Sequence, residues 1–309
     1  MGHRSGLLDV FPVELLFMIK DHIPEIDLRT HVCFSQVLGP ASRTVYTDAY
    51  WEIACVKFGL SLVADEEEVP WREFAYEIIR RDGFCEHPQC GVRRLEQNFR
   101  EMSKVYGMKD YSRETLMQVM DARSPGAFNN GFGGTNTLLA NIDFNRNPHT
   151  QSVEDGILRI TESQKGLPEG LQVTLSKHPI AYRSFATFAP TPGLQLVTLG
   201  GIPPLRNPMG VTVWDVYSAV QAKLDATDSI YRMNEYLRFV NYRRALNNCA
   251  DDLTHLLNQL TTLRDFFYIF RWDGLYYAGQ TCDDTPRFAF GFQTVRKVVK
   301  GMAEPQLIV

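Results

Sequence analysis

The chain has 309 residues, of which 44% are hydrophobic and 22% charged, values typical of a globular protein with one large domain or two ordinary ones. Its formal net charge is −4, so neither nucleic acid nor an anionic membrane is expected as a bulk partner. Six cysteines in a chain of this length are too dilute for a disulfide scaffold.

The first predicted element is a helix in the segment "LDVFPVELLFMIKDHI", which begins near Pro12 because proline costs nothing at a helix start. At about 100° per residue, its apolar side chains point to two different sides. A surface helix buries one stripe, so this helix is predicted to be covered from two directions. The two sides are formed by Leu15, Leu16, Ile19 and Ile23, and by Val13 and Phe17.

Charged residues interrupt this apolar segment, namely Asp9, Glu14, Lys20 and Asp21. A secretory signal peptide has an uninterrupted apolar region, so the segment is not expected to be one. No other run reaches the roughly 20 apolar residues that a membrane-spanning helix needs. The sequence therefore predicts a cytoplasmic or nuclear protein without a membrane partner.

The helical pattern continues through residues 1–82. In "PWREFAYEIIRRDGF", apolar residues recur every three or four positions between Pro70 and Gly83, which predicts an amphipathic helix. Helix is also predicted within 91–122, where Ser112 is suited to cap an N-terminus. The buried stripe of the helix after Pro70 is expected to consist of Trp71, Phe74, Ala75, Ile78 and Ile79.

The stretch "FCEHPQCG" contains the sharpest local motif. Cys85, His87 and Cys90 have the side chains and close spacing of zinc ligands, but a structural zinc site needs a fourth ligand. The alternative is a turn shaped by Pro88 and Gly91 with buried cysteines and no cofactor, and the incomplete ligand set favours it. The fourth ligand would come from His149, His178, Cys249 or Cys282.

The composition changes after residue 122. Residues 123–170 are rich in Gly and Asn without sustained periodicity, which predicts a partly ordered joint. From about residue 171, apolar runs broken by Gly and Pro predict strands, and residues 229–264 predict mostly helix. Thr212 and Asp215 resemble a capping box at the start of another helix. Its buried stripe is expected to consist of Val216, Ala219, Val220 and Leu224.

Two aromatic runs near the end predict a hairpin, because Asp273-Gly274 between them is a strong signal for a two-residue turn. "RFAFGFQTV" is predicted to pair next to them. Strands alternate sides, so about half of these aromatic side chains should face the core. The sequence thus predicts the α+β class, with an N-terminal all-helical module followed by an α+β domain whose sheet is mainly antiparallel.

Motifs of established catalytic types do not occur in the sequence. G-x-S-x-G, H-E-x-x-H and a P-loop are all lacking. The seven histidines are scattered, so a Cys/His nucleophile pair can be drawn from them only by choice. The sequence predicts no catalytic residues and no enzyme. A hydrolase or transferase with dispersed catalytic residues is the least favoured alternative.

Residues 8–55 resemble an F-box in the order and spacing of their motifs. The family pattern is a hydrophobic residue before Pro, then Glu–Leu, an Ile a turn later, Asp–Leu, Val–Cys and a Trp in the third helix. Two features depart from it: Phe11 replaces the commoner Leu, and "SQVLGPASRTVYTD" is unlike the usual run. The matching positions are Phe11-Pro12, Glu14-Leu15-Leu16, Ile19, Ile23-Pro24, Asp27-Leu28, Val32-Cys33 and Trp51.

This resemblance implies an adaptor role. F-box modules bind a Skp-type adaptor, which bridges to a cullin and its RING subunit in an SCF-type ubiquitin ligase. The chain would then be a substrate receptor whose C-terminal domain binds an unknown protein substrate. Ile19 would lie nearer the core of the module. By position, the adaptor would be bound by Leu8, Phe11, Pro12, Glu14, Leu15 and Leu16.

This organisation predicts an F-box-like module in residues 1–60, a helical extension in 61–122, the joint in 123–170 and the α+β domain in 171–309. The C-terminal region faintly resembles an uncharacterised domain of fungal proteins, which implies no particular activity. The alternative function is that of an interaction or structural protein. Its degenerate F-box would no longer bind an adaptor and would have no role in a ligase.

Overall fold

A computed structural model describes residues 11–106, 134–144, 157–158, 173–197, 203–224, 262, 264, 267 and 270–294. The N-terminal part is helical, as predicted. Asp27 and Thr47 cap two of its helices by accepting from the N–H groups of Thr30 and Tyr50. The helices are α1 (Val13–His22), α2 (Leu28–Leu38), α3 (Ser42–Val45), α4 (Asp48–Lys57), α5 (Trp71–Asp82) and α6 (Gly91–Tyr106).

Short elements follow the helical part. They are β1 (Gly134–Thr135), α7 (Thr137–Asn141), β2 (Ile142–Asp143), β3 (Ile157–Leu158), β4 (Val173–Thr174), α8 (Pro179–Tyr182) and β5 (Thr187–Phe188). β1 pairs with β5 in a two-stranded antiparallel sheet. A second antiparallel sheet has the order β2-β3-β4 and lies in the part predicted as a joint and just after it.

The remaining elements form the largest described sheet and one helix. They are β6 (Gly193–Leu196), β7 (Leu205–Arg206), α9 (Val213–Leu224), β8 (Phe270–Gln280) and β9 (Pro286–Thr294). The strand order is β7-β6-β9-β8. β6 and β9 are parallel, whereas the other two pairs are antiparallel, so the predicted α+β class with a mainly antiparallel sheet is confirmed. Phe288 and Phe290 are buried and Ala289 between them is half-buried, as strand alternation predicts.

The hairpin predicted at Asp273-Gly274 is wrong in its position. These two residues form a bulge within β8, because Trp272 is paired with Phe292 and Leu275 already with Phe290. The turn lies between β8 and β9 instead, where Thr281 N–H donates to the Thr285 carbonyl over 2.9 Å. "RFAFGFQTV" does pair with the preceding strand, as predicted.

The described residues form three hydrophobic clusters, and the two largest are the cores of the helical part and of the α+β part. The helical core contains Leu16, Trp51 and Phe74, but also Ile180 from α8. The second core is built around α9 and the largest sheet, and it includes Cys90 from the helical part. Each core therefore takes side chains from the other part of the chain.

Several expectations fall outside the described residues. They are the helix after residue 106 with its cap at Ser112, most of the joint, and nearly all of the helix predicted in 229–264. Across the portion of the chain that the structure describes, helices with the length and hydrophobicity to cross a bilayer are lacking.

Candidate functional site

The first candidate site is the outer surface of α1. The helix begins at Val13, directly after Pro12, whose carbonyl accepts from Leu15 N–H over 3.1 Å. Leu16 is its buried residue and packs in the helical core. Lys20 reaches back over this core, with its Nζ 4.8 Å from the ring centroid of Tyr50. These contacts fix which side of α1 faces solvent.

The solvent side of α1 is apolar. Leu15, Met18 and Ile19 are 42%, 56% and 44% exposed, respectively. Because residues three and four apart are neighbours on a helix surface, they form one continuous apolar stripe. We call Leu15, Met18 and Ile19 the α1 stripe. Phe11, which is 40% exposed, lies two residues before the start of α1.

Two residues of α1 have the opposite burial to the one expected from their predicted roles. Leu16, predicted to bind an adaptor, is 1% exposed and belongs to the helical core. Ile19, predicted to lie nearer the core, is exposed. Pro12 and Glu14 are exposed as expected, and Leu8 lies outside the described residues. The described part of the chain buries α1 through Leu16, and cover of its other side stays a prediction.

The exposed apolar side chains are concentrated near α1. Of the ten large hydrophobic side chains that are exposed in the described part of the chain, seven lie within residues 11–37. Single exposed hydrophobic residues are normal, but a contiguous group indicates an interaction surface. The seven are Phe11, Leu15, Phe17, Met18, Ile19, Ile26 and Val37.

The second candidate site lies where the α5–α6 loop meets α8. Asp82 ends α5, and its carbonyl accepts from Cys85 N–H over 2.9 Å. Gly91 closes the loop with φ +62°. The position requires glycine, because a Cβ there would lie 2.2 Å from the Cys85 carbonyl oxygen. The loop therefore folds back on itself and brings the Sγ atoms of Cys85 and Cys90 to 3.0 Å.

His178 approaches this loop from the N-terminal end of α8. Its Nδ1 lies 2.8 Å from Oδ1 of Asp82, while the other carboxylate oxygen of Asp82 accepts from Ile180 N–H over 3.1 Å. The ligand atoms of Asp82, Cys85, Cys90 and His178 all lie within 4.8 Å of one another. Asp82 and Cys90 are buried, and burial together with the Asp82 charge raises the pKa of the Cys90 thiol.

No family model, curated protein or solved structure matches the chain.

His87 does not belong to the cluster, contrary to its predicted place beside Cys85 and Cys90. Its Nδ1 accepts from Gln89 N–H over 3.2 Å, and its buried Nε2 has no hydrogen-bond partner. Burial and the neighbouring His178 lower the pKa of His87 to about 4, so its ring is neutral at physiological pH. Of the two further candidate ligands that the structure describes, His178 and Cys282, it is His178 that reaches the cysteines.

Asp82 is the member of the cluster that sequence reasoning missed. An available signal was its position: an acidic residue at the last position of a helix opposes the helix dipole. The other candidates do not contribute in the described structure. Cys282 is exposed in the β8–β9 turn, whereas His149 and Cys249 lie outside the described residues.

Proposed function

We propose that this chain is an F-box substrate receptor of a cullin-RING ubiquitin ligase. In this proposal the N-terminal helices bind a Skp-type adaptor, and the C-terminal α+β region recruits a protein substrate. The chain itself performs no catalysis, because ubiquitin transfer belongs to the partner complex. It would act in the cytoplasm or the nucleus.

The exposed apolar surface of α1 is the observation that carries this proposal. A helix face with Leu15, Met18 and Ile19 in solvent is unfavourable for an isolated chain, since each buried methylene group is worth about 0.8 kcal/mol. An apolar helix stripe fits a hydrophobic groove on a partner. The resemblance of the surrounding residues to an F-box supports a Skp-type adaptor as that partner.

The division between core and surface supports the same proposal. Leu28, Val32 and Trp51, which match the F-box pattern, are all buried and hold the helices together. Phe11 and Leu15, which match positions expected to contact the adaptor, are exposed. These five positions therefore have the burial that the pattern favours, whereas Leu16 and Ile19 have the opposite one.

Adaptor binding tests the proposal directly. The intact protein is expected to co-purify with a recombinant Skp-type adaptor. The double variant Phe11→Ala/Leu15→Asp is expected to raise the Kd at least about thirtyfold, because two exposed apolar side chains are removed and a charge is introduced. Isothermal titration calorimetry measures the Kd, and far-UV circular dichroism checks that the variant is folded.

A matched control comes from an exposed apolar residue outside the F-box-like segment. Val69 is 38% exposed, close to the 42% of Leu15, and Val69→Asp is expected to leave the Kd unchanged. If the wild-type chain fails to bind the adaptor at about 10 µM, the ligase proposal is wrong. The chain would then be better explained as an interaction protein with a degenerate F-box.

A further inference from the structure

We propose that Asp82, Cys85, Cys90 and His178 bind a structural zinc ion that joins the α5–α6 loop to α8. This inference is independent of adaptor binding. It rests on four side chains of metal-ligating type whose ligand atoms converge within 4.8 Å. Two of them are thiols, which select zinc over the hard cations magnesium and calcium.

The spacing of these atoms suits a tetrahedral ion. Zinc binds sulfur at about 2.3 Å and nitrogen or oxygen at about 2.0–2.2 Å, so its ligands lie about 3.3–3.8 Å from one another. The His178–Asp82 separation of 2.8 Å and the Cys85–Cys90 separation of 3.0 Å are roughly 0.5 Å and 0.8 Å shorter than the values for those two ligand pairs. Small side-chain movements would admit the ion without rearranging the backbone.

The backbone of the loop is shaped for this convergence. Gly91 lies against the Cys85 carbonyl at a distance that any side chain would prevent, so the short return of the chain requires glycine. The Ile180 N–H holds the second oxygen of Asp82 and orients its carboxylate. Such outer hydrogen bonds position metal ligands in the same way.

The buried carboxylate of Asp82 is also suited to bind a cation. It has no exposed side-chain surface, and its neighbour His178 is charged only when protonated. A metal ion would give this carboxylate a direct partner of opposite charge. On zinc binding the Cys85 and Cys90 thiols each release a proton to solvent, so that two thiolates, the carboxylate and a neutral imidazole bind Zn²⁺ and the whole site keeps the net charge of −1 that the carboxylate alone has.

A site with four protein ligands has no open position for substrate, so the zinc would be structural rather than catalytic. Its ligands come from two parts of the chain, since Asp82 and His178 are 96 residues apart. The ion would therefore cross-link the helical part to the α+β part. Removing it should loosen the contact between the two hydrophobic cores.

Metal content of the full-length protein, purified under reducing conditions without chelators, is the primary test. Mass-spectrometric metal analysis is expected to find about one zinc per chain. Cobalt exchanged into the protein is expected to give thiolate-to-cobalt charge-transfer absorption and the visible bands of a tetrahedral ion. Alkylation is expected to label Cys85 and Cys90 only after the metal is removed.

Paired histidine variants identify the ligand. His178→Gln is expected to lower the zinc content at least about tenfold, whereas His87→Gln keeps it. Cys282→Ser, which removes an exposed thiol outside the cluster, is expected to retain the metal. The cobalt spectrum of the wild-type protein does not depend on whether the His178 variant folds.

Three results would overturn the proposal. They are less than about a tenth of an equivalent of zinc in the reduced wild-type protein, a cobalt spectrum without thiolate charge transfer, and retention of zinc by His178→Gln with its loss in His87→Gln. The last result would restore His87 as the ligand instead of His178.

Discussion

At the scale of single residues, His31 shows how a buried titratable group links pH to stability. The ring lies in α2, with its Nδ1 3.0 Å from the hydroxyl oxygen of Tyr46. Burial lowers its pKa below the ordinary value of 6.5; the charge of Asp27 opposes this shift in part, and Lys20 adds to it more weakly. The unfolded state therefore binds more protons than the folded state below about pH 6.5.

This pKa predicts a loss of stability on the acid side. The contribution of neutral His31 is fully present above its ordinary pKa of 6.5 and is lost as the pH falls below it. His31→Gln is expected to flatten the decline in the free energy of unfolding between about pH 7 and about pH 5. Urea unfolding across this range measures the slope. An exposed histidine, His22, supplies the control, and an unchanged slope in the His31 variant would contradict the prediction.

The limits of sequence-based prediction also appear at the residue scale. Periodicity indicates that Leu16 and Ile19 belong to one broad apolar side of α1, but it cannot divide that side between a core and solvent. The division depends on tertiary packing, here of α3 against α1. The candidate zinc site was only partly predictable for a different reason. Cys85 and Cys90 are close together in the sequence, whereas His178 comes from a distant segment.

At the scale of whole elements, local rules predicted helix boundaries well. The capping box of α9 is confirmed, since Asp215 accepts from Thr212 N–H over 2.8 Å and Asp215 N–H donates to the Thr212 hydroxyl. Asp273-Gly274 predicted a hairpin turn wrongly, because a glycine with positive φ is typical of a bulge as well as of a hairpin turn. Gly274 has φ +93°, and a Cβ there would lie 3.1 Å from the Ala140 backbone nitrogen, so packing against α7 selects the bulge.

The cap of α9 is predicted to do more than start a helix. Besides its bond with Thr212, the Asp215 carboxylate accepts from Ala64 N–H over 3.1 Å and from the Asn207 side-chain amide over 3.0 Å. Asp215→Ala is expected to cost about 2–3 kcal/mol of unfolding free energy, because several donors lose their acceptor. Thr47→Ala removes a single capping bond on α4 and is expected to cost about 1 kcal/mol. Equal losses in urea unfolding would show that only the capping bond of Asp215 matters.

At the scale of the whole molecule, the helical part and the α+β part are joined by buried polar contacts. Arg183, which is 5% exposed, donates to both carboxylate oxygens of Glu66 and to Glu77. Its guanidinium also lies 5.0 Å from the Phe74 ring centroid, and its backbone carbonyl accepts from Ser61 N–H. Sequence patterns divide the chain at changes of composition, but they cannot register such contacts between distant segments.

These contacts predict that the two parts unfold together. Near-UV and far-UV circular dichroism are expected to report one coincident transition, since Trp51 and Trp272 lie in different cores that exchange side chains. Arg183→Met is expected to lower the stability of this single transition by about 2 kcal/mol, less than for a fully buried ion pair because Glu66 and Glu77 each keep about a third of their exposure.

The exposed Arg100–Glu96 pair on α6 provides the matched control for Arg183. Its side chains are 68% and 43% exposed, so Arg100→Met is expected to change stability by at most about 0.5 kcal/mol. Two separated transitions, or destabilisation by Arg183→Met of one transition alone, would contradict the cooperative unit. Under cooperative unfolding, the C-terminal region stabilises the helices that carry the α1 stripe. Arg183→Met is then expected to lower the proposed adaptor binding only under conditions in which the whole chain begins to unfold.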